Sequence, residues 1–156
     1  GDYPFSVAQH SILVLELFRA SSPGAEARAA LYALLHDAAE YVVGDMISPF
    51  KATIGGNYRE IEDGLLKAIH ARFSLAAIRP AAVTRGIKKA DQHAAYFEAV
   101  KLAGFELEEA RRLFGEPTMP AFDVDGFEKL IRPWPTHQAH DRFVSQFETI
   151  VAQLPD

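Results

Sequence analysis

The sequence contains no cysteine, which excludes disulfide bonds, thiolate metal ligands and a cysteine nucleophile. It also lacks an apolar run of the roughly 20 residues that a membrane-spanning helix needs, and no signal-peptide pattern opens it. Positive charge is not in excess: the formal net charge of -5 argues against binding to a nucleic-acid backbone. These absences favour a cytoplasmic enzyme or binding domain with neither membrane nor nucleic-acid partners.

What the chain does contain is an ordinary globular composition, with 49% hydrophobic and 24% charged residues. Its 156 residues suit one domain with a proper hydrophobic core, so we expect a single domain over residues 1–156. Apolar residues recur at helical spacing, without internal repeats or a convincing strand alternation. The sequence therefore predicts an all-α bundle of about five to seven helices.

Capping residues and breaks place the predicted helices. Ser6, followed three residues later by Gln9, has the pattern of a capping box at the start of a first helix, which ends near residues 21–24. Segments rich in proline and glycine then separate further helices at about residues 25–43, 57–73, 80–104, 107–114 and 135–154. The rest of residues 105–133 is expected to form irregular loops.

Polar side chains interrupt the edge of an apolar stripe in the second predicted helix. The stripe consists of Leu31, Leu34, Leu35, Ala38 and Val42. His36 and Asp37 lie at its margin, and Glu40 follows them at helical spacing, on the same side. Neighbouring residues on a helix are about 100° apart, so His36 and Asp37 can both reach an ion lying between their directions.

Two other helices each add a metal-capable side chain to a face that is otherwise apolar. His10 falls on the face of Leu13 and Leu17, and Asp91 on the face of Ile87 and Ala94. Taken alone, His10 is better interpreted as a hydrogen-bonded histidine of the core. Asp91 alone could be a solvated acid, but a carboxylate that faces the core is costly unless it is paired or coordinated.

Taken together, the two imidazoles and two carboxylates of His10, His36, Asp37 and Asp91 form a mixed nitrogen and oxygen donor set. Such a set suits one divalent ion, namely Mn, Fe, Co, Ni or Zn.

These residues also match the ordered H…HD…D signature of the HD-domain metal-dependent phosphohydrolases. Residues 6–11 around the first histidine, residues 36–51 around the doublet and residues 89–91 around the last aspartate resemble the bacterial HD-domain 5′-deoxynucleotidases. The resemblance covers roughly residues 6–100 and leaves the C-terminal residues 105–156 unaligned. It implies a helical HD fold, a divalent ion held by the four residues, and hydrolysis of (deoxy)nucleoside 5′-monophosphates.

By the same resemblance, the remaining site residues follow the doublet. Glu40 matches the acid that orients or deprotonates the attacking water, and Asp45 matches a residue placed near the sugar. Ser48 and Lys51 lie in the matching substrate loop. We therefore expect Glu40 and Asp45 to be catalytic and Ser48 and Lys51 to bind the substrate.

One element of the family pattern is missing from this sequence. The branch uses an arginine before its first histidine for phosphate binding, and no residue precedes Gly1 to supply it. Either that arginine lies in an N-terminal segment outside this sequence, or Lys51, Lys88 or Lys89 takes its place.

Alternatives stay open at this point. The chain could hydrolyse another small phosphoester, including an alarmone-type nucleotide, or it could be a nucleotide- or metal-binding regulatory domain without turnover. A homodimer is a further expectation from the resemblance. The other histidines are not expected to bind the metal. We expect His93 to be a surface or supporting residue, and His70, His137 and His140 to face the solvent.

Overall fold

The computed structural model describes residues 3–44, 56–118 and 124–155, and most of these are helical. Within these ranges there are eight α-helices and no strand, which confirms the predicted all-α class. The helices are α1 (Val7–Ser21), α2 (Ala27–Leu34), α3 (Glu40–Val43), α4 (Gly56–Arg72), α5 (Ala81–Lys101), α6 (Leu107–Phe114), α7 (Val124–Ile131) and α8 (Thr136–Val151). Their number exceeds the prediction because the second predicted helix is divided and α7 was expected to be loop.

Helix α1 begins as predicted, but with only half of the expected capping box. The Ser6 hydroxyl accepts a hydrogen bond from the backbone N–H of Gln9 at 3.2 Å, so Ser6 is the N-cap. The Gln9 side chain does not return this bond. It is fully buried and instead donates to the carbonyls of Leu130, near the end of α7, and Arg132, just after it. The reciprocal half of the capping-box prediction is therefore wrong, because a distant piece of buried backbone uses the amide group.

The second predicted helix is divided into α2 and α3 by turns at residues 35–39. The carbonyl of Ala33 accepts from the His36 N–H at 3.4 Å and from the His36 ring Nδ1 at 2.9 Å. Hydrogen bonds of the 3₁₀ type, between residues three apart, follow. They join Ala38 N–H to the Leu35 carbonyl at 3.1 Å and Glu40 N–H to the Asp37 carbonyl at 3.0 Å. The His36-Asp37 pair thus lies in a bend between two helices rather than on a continuous helix.

Helix α1 is the centre of the packing. It contacts α2, α5, α7 and α8, and its residues 11–15 are all buried. A helix buried nearly all round needs apolar or hydrogen-bonded residues on every face, which explains its run of Ile12, Leu13, Val14 and Leu15. His10 lies just before this run, so the packing of α1 fixes its position.

Helix α5 lies against α1 and carries the last predicted ligand. Ile87, Ala90, Ala94 and Phe97 are buried, as the spacing predicted. Asp91 lies at the border of that face, with its side chain 44% exposed. No helix in the described part of the chain is long and apolar enough to cross a membrane.

Candidate metal centre

The structure brings His10 next to both predicted carboxylates. Its Nε2 atom lies 3.2 Å from an Asp91 carboxylate oxygen and 3.5 Å from an Asp37 carboxylate oxygen. Its other ring nitrogen, Nδ1, lies 2.6 Å from a carboxylate oxygen of Glu98. Helix α1 thus contributes one imidazole whose Nε2 faces the cluster.

His36 reaches the same place from the bend after α2. Its Nδ1 donates to the Ala33 carbonyl, because a carbonyl oxygen can only accept. Its Nε2 faces Asp37 at 3.2 Å and Asp91 at 3.9 Å. This Nε2 atom is buried and has no well-directed hydrogen bond to any described residue. The nearby carboxylates offer charge but no well-directed hydrogen bond, so a further partner would complete the surroundings of this atom.

The four predicted ligands converge although they come from three separate segments. One donor atom from each of His10, His36, Asp37 and Asp91 lies within 4.8 Å of all the others. Two atoms bound to the same ion at about 2.1 Å lie at most about 4.2 Å apart. A contraction of a few tenths of an ångström per side chain would therefore place all four around one ion.

This donor set fits a divalent metal. Two imidazole nitrogens and two carboxylate oxygens suit Mn, Fe, Co, Ni or Zn rather than a soft thiolate-binding ion. An ion at the centre would also give the buried His36 Nε2 a well-directed partner in addition to its 3.2 Å contact with Asp37. The residues present thus fit the ion that their types suggested.

Electrostatics hold the cluster together. Burial lowers the pKa of His10, but hydrogen bonds to Asp91 and Glu98 and the nearby charges outweigh it and raise the pKa to about 10. Burial also lowers the pKa of His36, but the contacts with Asp37 and Asp91 outweigh this effect and raise the pKa to about 9. Burial also opposes ionisation of Asp37 and Asp91, yet the two imidazoles hold both carboxyl pKa values below their usual range. The acids and imidazoles therefore stabilise one another's charged forms.

A cavity of about 240 Å³ opens beside this cluster. Its lining consists of His36, Asp37, Ala39, Glu40, Glu62, Asp63 and Leu66. Glu40, the first residue of α3, thus shares a cavity wall with two of the four candidate ligands. Glu40 directly follows the turns at residues 35–39 that hold His36 and Asp37.

The other residues predicted to bind substrate or phosphate are not placed at the cluster by the part of the chain that the structure describes. Asp45, Ser48 and Lys51 lie outside the described residues. Lys88 and Lys89 are exposed on α5, and neither lines the cavity beside the cluster. The group that would bind phosphate therefore stays a prediction.

Glu98 is the neighbour of the cluster that sequence reasoning missed. It lies on α5 seven residues, or about two turns, after Asp91, and therefore on the same side of the helix. That spacing was the available signal.

Two of the remaining histidines are not where they were expected. His70 is 2% exposed and His93 is 6% exposed, so the prediction of a solvent-facing His70 is wrong, and so is the surface alternative for His93. His70 packs edge-on against the Tyr32 ring, with the ring centroids 5.0 Å apart. His137 and His140 are exposed as predicted.

Comparison with known proteins identifies a similar protein but no known activity. No protein-family model matches the chain. An uncharacterized protein of Rhodobacter capsulatus is 51% identical over 139 residues, which cover 89% of this chain and 70% of the relative. The chain belongs to the same family as that protein. Because the relative's description states no activity, the functional argument depends on the site itself.

Proposed function

We propose that this protein is a metal-dependent phosphohydrolase that removes phosphate from (deoxy)nucleoside 5′-monophosphates. The observation that carries the proposal is the convergence of His10, His36, Asp37 and Asp91, whose donor atoms lie within 4.8 Å of one another. A purely structural domain has no use for two imidazoles and two carboxylates at one buried edge, because burying ionisable groups is costly.

The four side chains would hold one divalent ion, which supplies Lewis acidity toward phosphoryl oxygens and lowers the pKa of water. Four protein ligands leave room in a six-coordinate shell for water and substrate. The orientation of His36 supports a role as a metal ligand. Its Nδ1 donates to the Ala33 carbonyl, which leaves Nε2 directed at the cluster. Such an outer contact fixes both the tautomer and the ring orientation of a histidine ligand.

Glu40 is the proposed general base. Glu40 lines the cavity that His36 and Asp37 also line, so water and a phosphate ester in that cavity would lie beside Glu40 and two of the candidate ligands. A carboxylate in reach of the attacking water can orient it and accept its proton. As the water oxygen bonds to phosphorus and the bond to the sugar oxygen breaks, that oxygen would take up a proton, which balances the one that Glu40 accepts and later releases.

The substrate class depends on the resemblance to the HD-domain 5′-deoxynucleotidases. A cavity of about 240 Å³ is small beside ligand pockets of about 300–1,000 Å³. In this proposal the phosphate group to be removed lies in this cavity, beside His36 and Asp37. In this proposal Asp45 contacts the sugar and Ser48 and Lys51 contact the substrate.

The test is the substitution Glu40→Gln, which preserves shape and removes the basic group. We expect this variant to bind one equivalent of metal as the unmodified protein does, and to lose about 10²–10⁴-fold in the rate of phosphate release. Glu60→Gln, at an exposed position of α4, is the control with the same change of charge. Full turnover in Glu40→Gln would remove Glu40 from the mechanism. Metal binding without turnover in the unmodified protein would instead indicate a binding domain.

A further inference from the structure

Helix α5 holds the His10 ring at both nitrogens. Asp91 presents a carboxylate oxygen 3.2 Å from Nε2, and Glu98 presents one 2.6 Å from Nδ1. The two acids are seven residues apart and so lie two turns apart on one side of the helix. The imidazole of α1 is thus flanked by two carboxylates of a single neighbouring helix.

The two contacts have different consequences. A carboxylate can only accept, so the contact with Glu98 places a hydrogen on Nδ1. The lone pair of the neutral ring is then on Nε2, the atom that faces Asp37 and Asp91. His36 has the same arrangement with a backbone carbonyl as its outer acceptor. Both imidazoles therefore have Nδ1 tied to an acceptor and Nε2 turned to the cluster.

We propose that Glu98 is a positioning residue that orients His10 and sets its tautomer for metal binding through Nε2. The inference rests on the metal site of the proposed function and adds a residue that the H…HD…D pattern does not contain. The 2.6 Å contact and the low exposure of both side chains, 16% for His10 and 26% for Glu98, favour a fixed hydrogen bond over a solvated ion pair.

A charged acceptor also distinguishes His10 from His36. A carboxylate bonded to the outer nitrogen makes an imidazole a stronger metal ligand than a carbonyl does, and loss of such a contact typically weakens metal affinity about 10–100-fold. Because His10 lies at the start of the central helix α1, Glu98 also links the candidate site to the α1–α5 packing.

The experiment compares Zn²⁺ affinity in the unmodified protein, Glu98→Ala and Glu98→Gln, each first freed of metal. We expect Glu98→Ala to weaken the affinity about 10–100-fold. Glu98→Gln should lie between the two, because its amide oxygen still accepts from Nδ1 without a charge. In nitrogen NMR of the Zn²⁺-loaded proteins, His10 should carry its hydrogen on Nδ1 in the unmodified protein and lose this fixed signature in Glu98→Ala.

Glu109→Gln, an exposed position on α6, is the control for the change in net charge. The near-isosteric Glu98→Gln keeps the test valid if Glu98→Ala fails to fold. Unchanged Zn²⁺ affinity and an unchanged His10 spectrum in the Glu98 variants would overturn the positioning role alone. Failure of the unmodified protein to bind any metal would overturn the metal site, and this inference with it.

Discussion

The side chain of Gln9 holds the backbone at Trp134 in the middle of the protein. Its Oε1 atom accepts a hydrogen bond from the Trp134 N–H at 2.9 Å. Its Nε2 atom donates to the carbonyls of Leu130 at 2.8 Å and Arg132 at 2.7 Å. One buried amide therefore satisfies three backbone groups, one near the end of α7 and two in the connection from α7 to α8, and does so from the residue before His10.

Replacing Gln9 should destabilise the protein strongly. Gln9→Ala leaves the buried Trp134 N–H and two partly buried carbonyls without their partner, and a buried group left unsatisfied costs about 1–3 kcal/mol. We expect a loss of about 3–5 kcal/mol in the free energy of unfolding, measured by urea denaturation. Gln9→Glu should also be harmful, because a carboxylate cannot donate to the two carbonyls. Gln153→Ala, at an exposed position, is the control; a loss below about 1 kcal/mol in Gln9→Ala would contradict this role.

Two helical glycines should respond to alanine in opposite directions. A Cβ atom at Gly86 would lie 2.9 Å from an edge carbon of the Phe18 ring, which is 3% exposed and cannot easily move aside. Overpacking costs about 1–3 kcal/mol, more than the roughly 1 kcal/mol that alanine gains over glycine in a helix. At Gly64 a Cβ meets nothing within 4 Å. We expect Gly86→Ala to lower the thermal midpoint and Gly64→Ala to raise it, whereas equal gains would mean that Phe18 yields.

Much of the fold follows from local pattern, and the exceptions have a common cause. The spacing of Ile87, Ala90 and Ala94 predicted the buried face of α5, and Ser6 predicted the start of α1. The partners of Gln9 lie more than 120 residues further along the chain, so no local signal could show them. The break after Leu34 coincides with another bond from a side chain to the backbone, between the His36 ring and the Ala33 carbonyl, which helical periodicity does not reveal.

The candidate site divides in the same way. Residue type and order predicted that His10, His36, Asp37 and Asp91 lie together, because a mixed nitrogen and oxygen donor set restricts the choice of side chain. The argument from helical spacing that joined His36 to Asp37 was wrong in its geometry, since a bend presents both. Glu98 was missed because a carboxylate facing a polar cluster looks in sequence like a solvated residue.

Stability should fall in mild acid because of His70. Burial, followed by the charge of Arg79, lowers the pKa of His70, and neither ring nitrogen has a hydrogen-bond partner among the described residues. The unfolded chain takes up a proton near about pH 6.5 that the folded state resists. The contribution is therefore complete above that pH and is lost as the pH falls through the folded pKa.

His70→Phe should reduce this acid sensitivity while keeping an aromatic ring beside Tyr32. The measurement is the free energy of unfolding between pH 7.5 and pH 5, compared as a slope because packing at the site also changes. His137→Phe, at an exposed position, should keep the slope of the unmodified protein. An identical slope in His70→Phe would assign the acid sensitivity to other groups.

Removal of a ligand should abolish metal retention. We expect His36→Ala and Asp91→Ala to emerge from purification without metal, because each removes a donor from a set of four. Asp141→Ala removes an exposed carboxylate of α8 and should retain the metal content of the unmodified protein. Elemental analysis of the three variants is the measurement, and intact stoichiometry in both ligand variants would contradict the site assignment.

The measurement that tests the central claim most directly is phosphate release from nucleoside mono-, di- and triphosphates by metal-depleted protein. Mn²⁺, Co²⁺, Zn²⁺ or Mg²⁺ is added back, and elemental analysis is made in parallel. The account predicts release from monophosphates only after a divalent ion is restored, with deoxyribonucleotides better than ribonucleotides. Bound metal without turnover of any of these nucleotides would contradict the nucleotidase function, and equal release without metal would contradict the role of the four ligands.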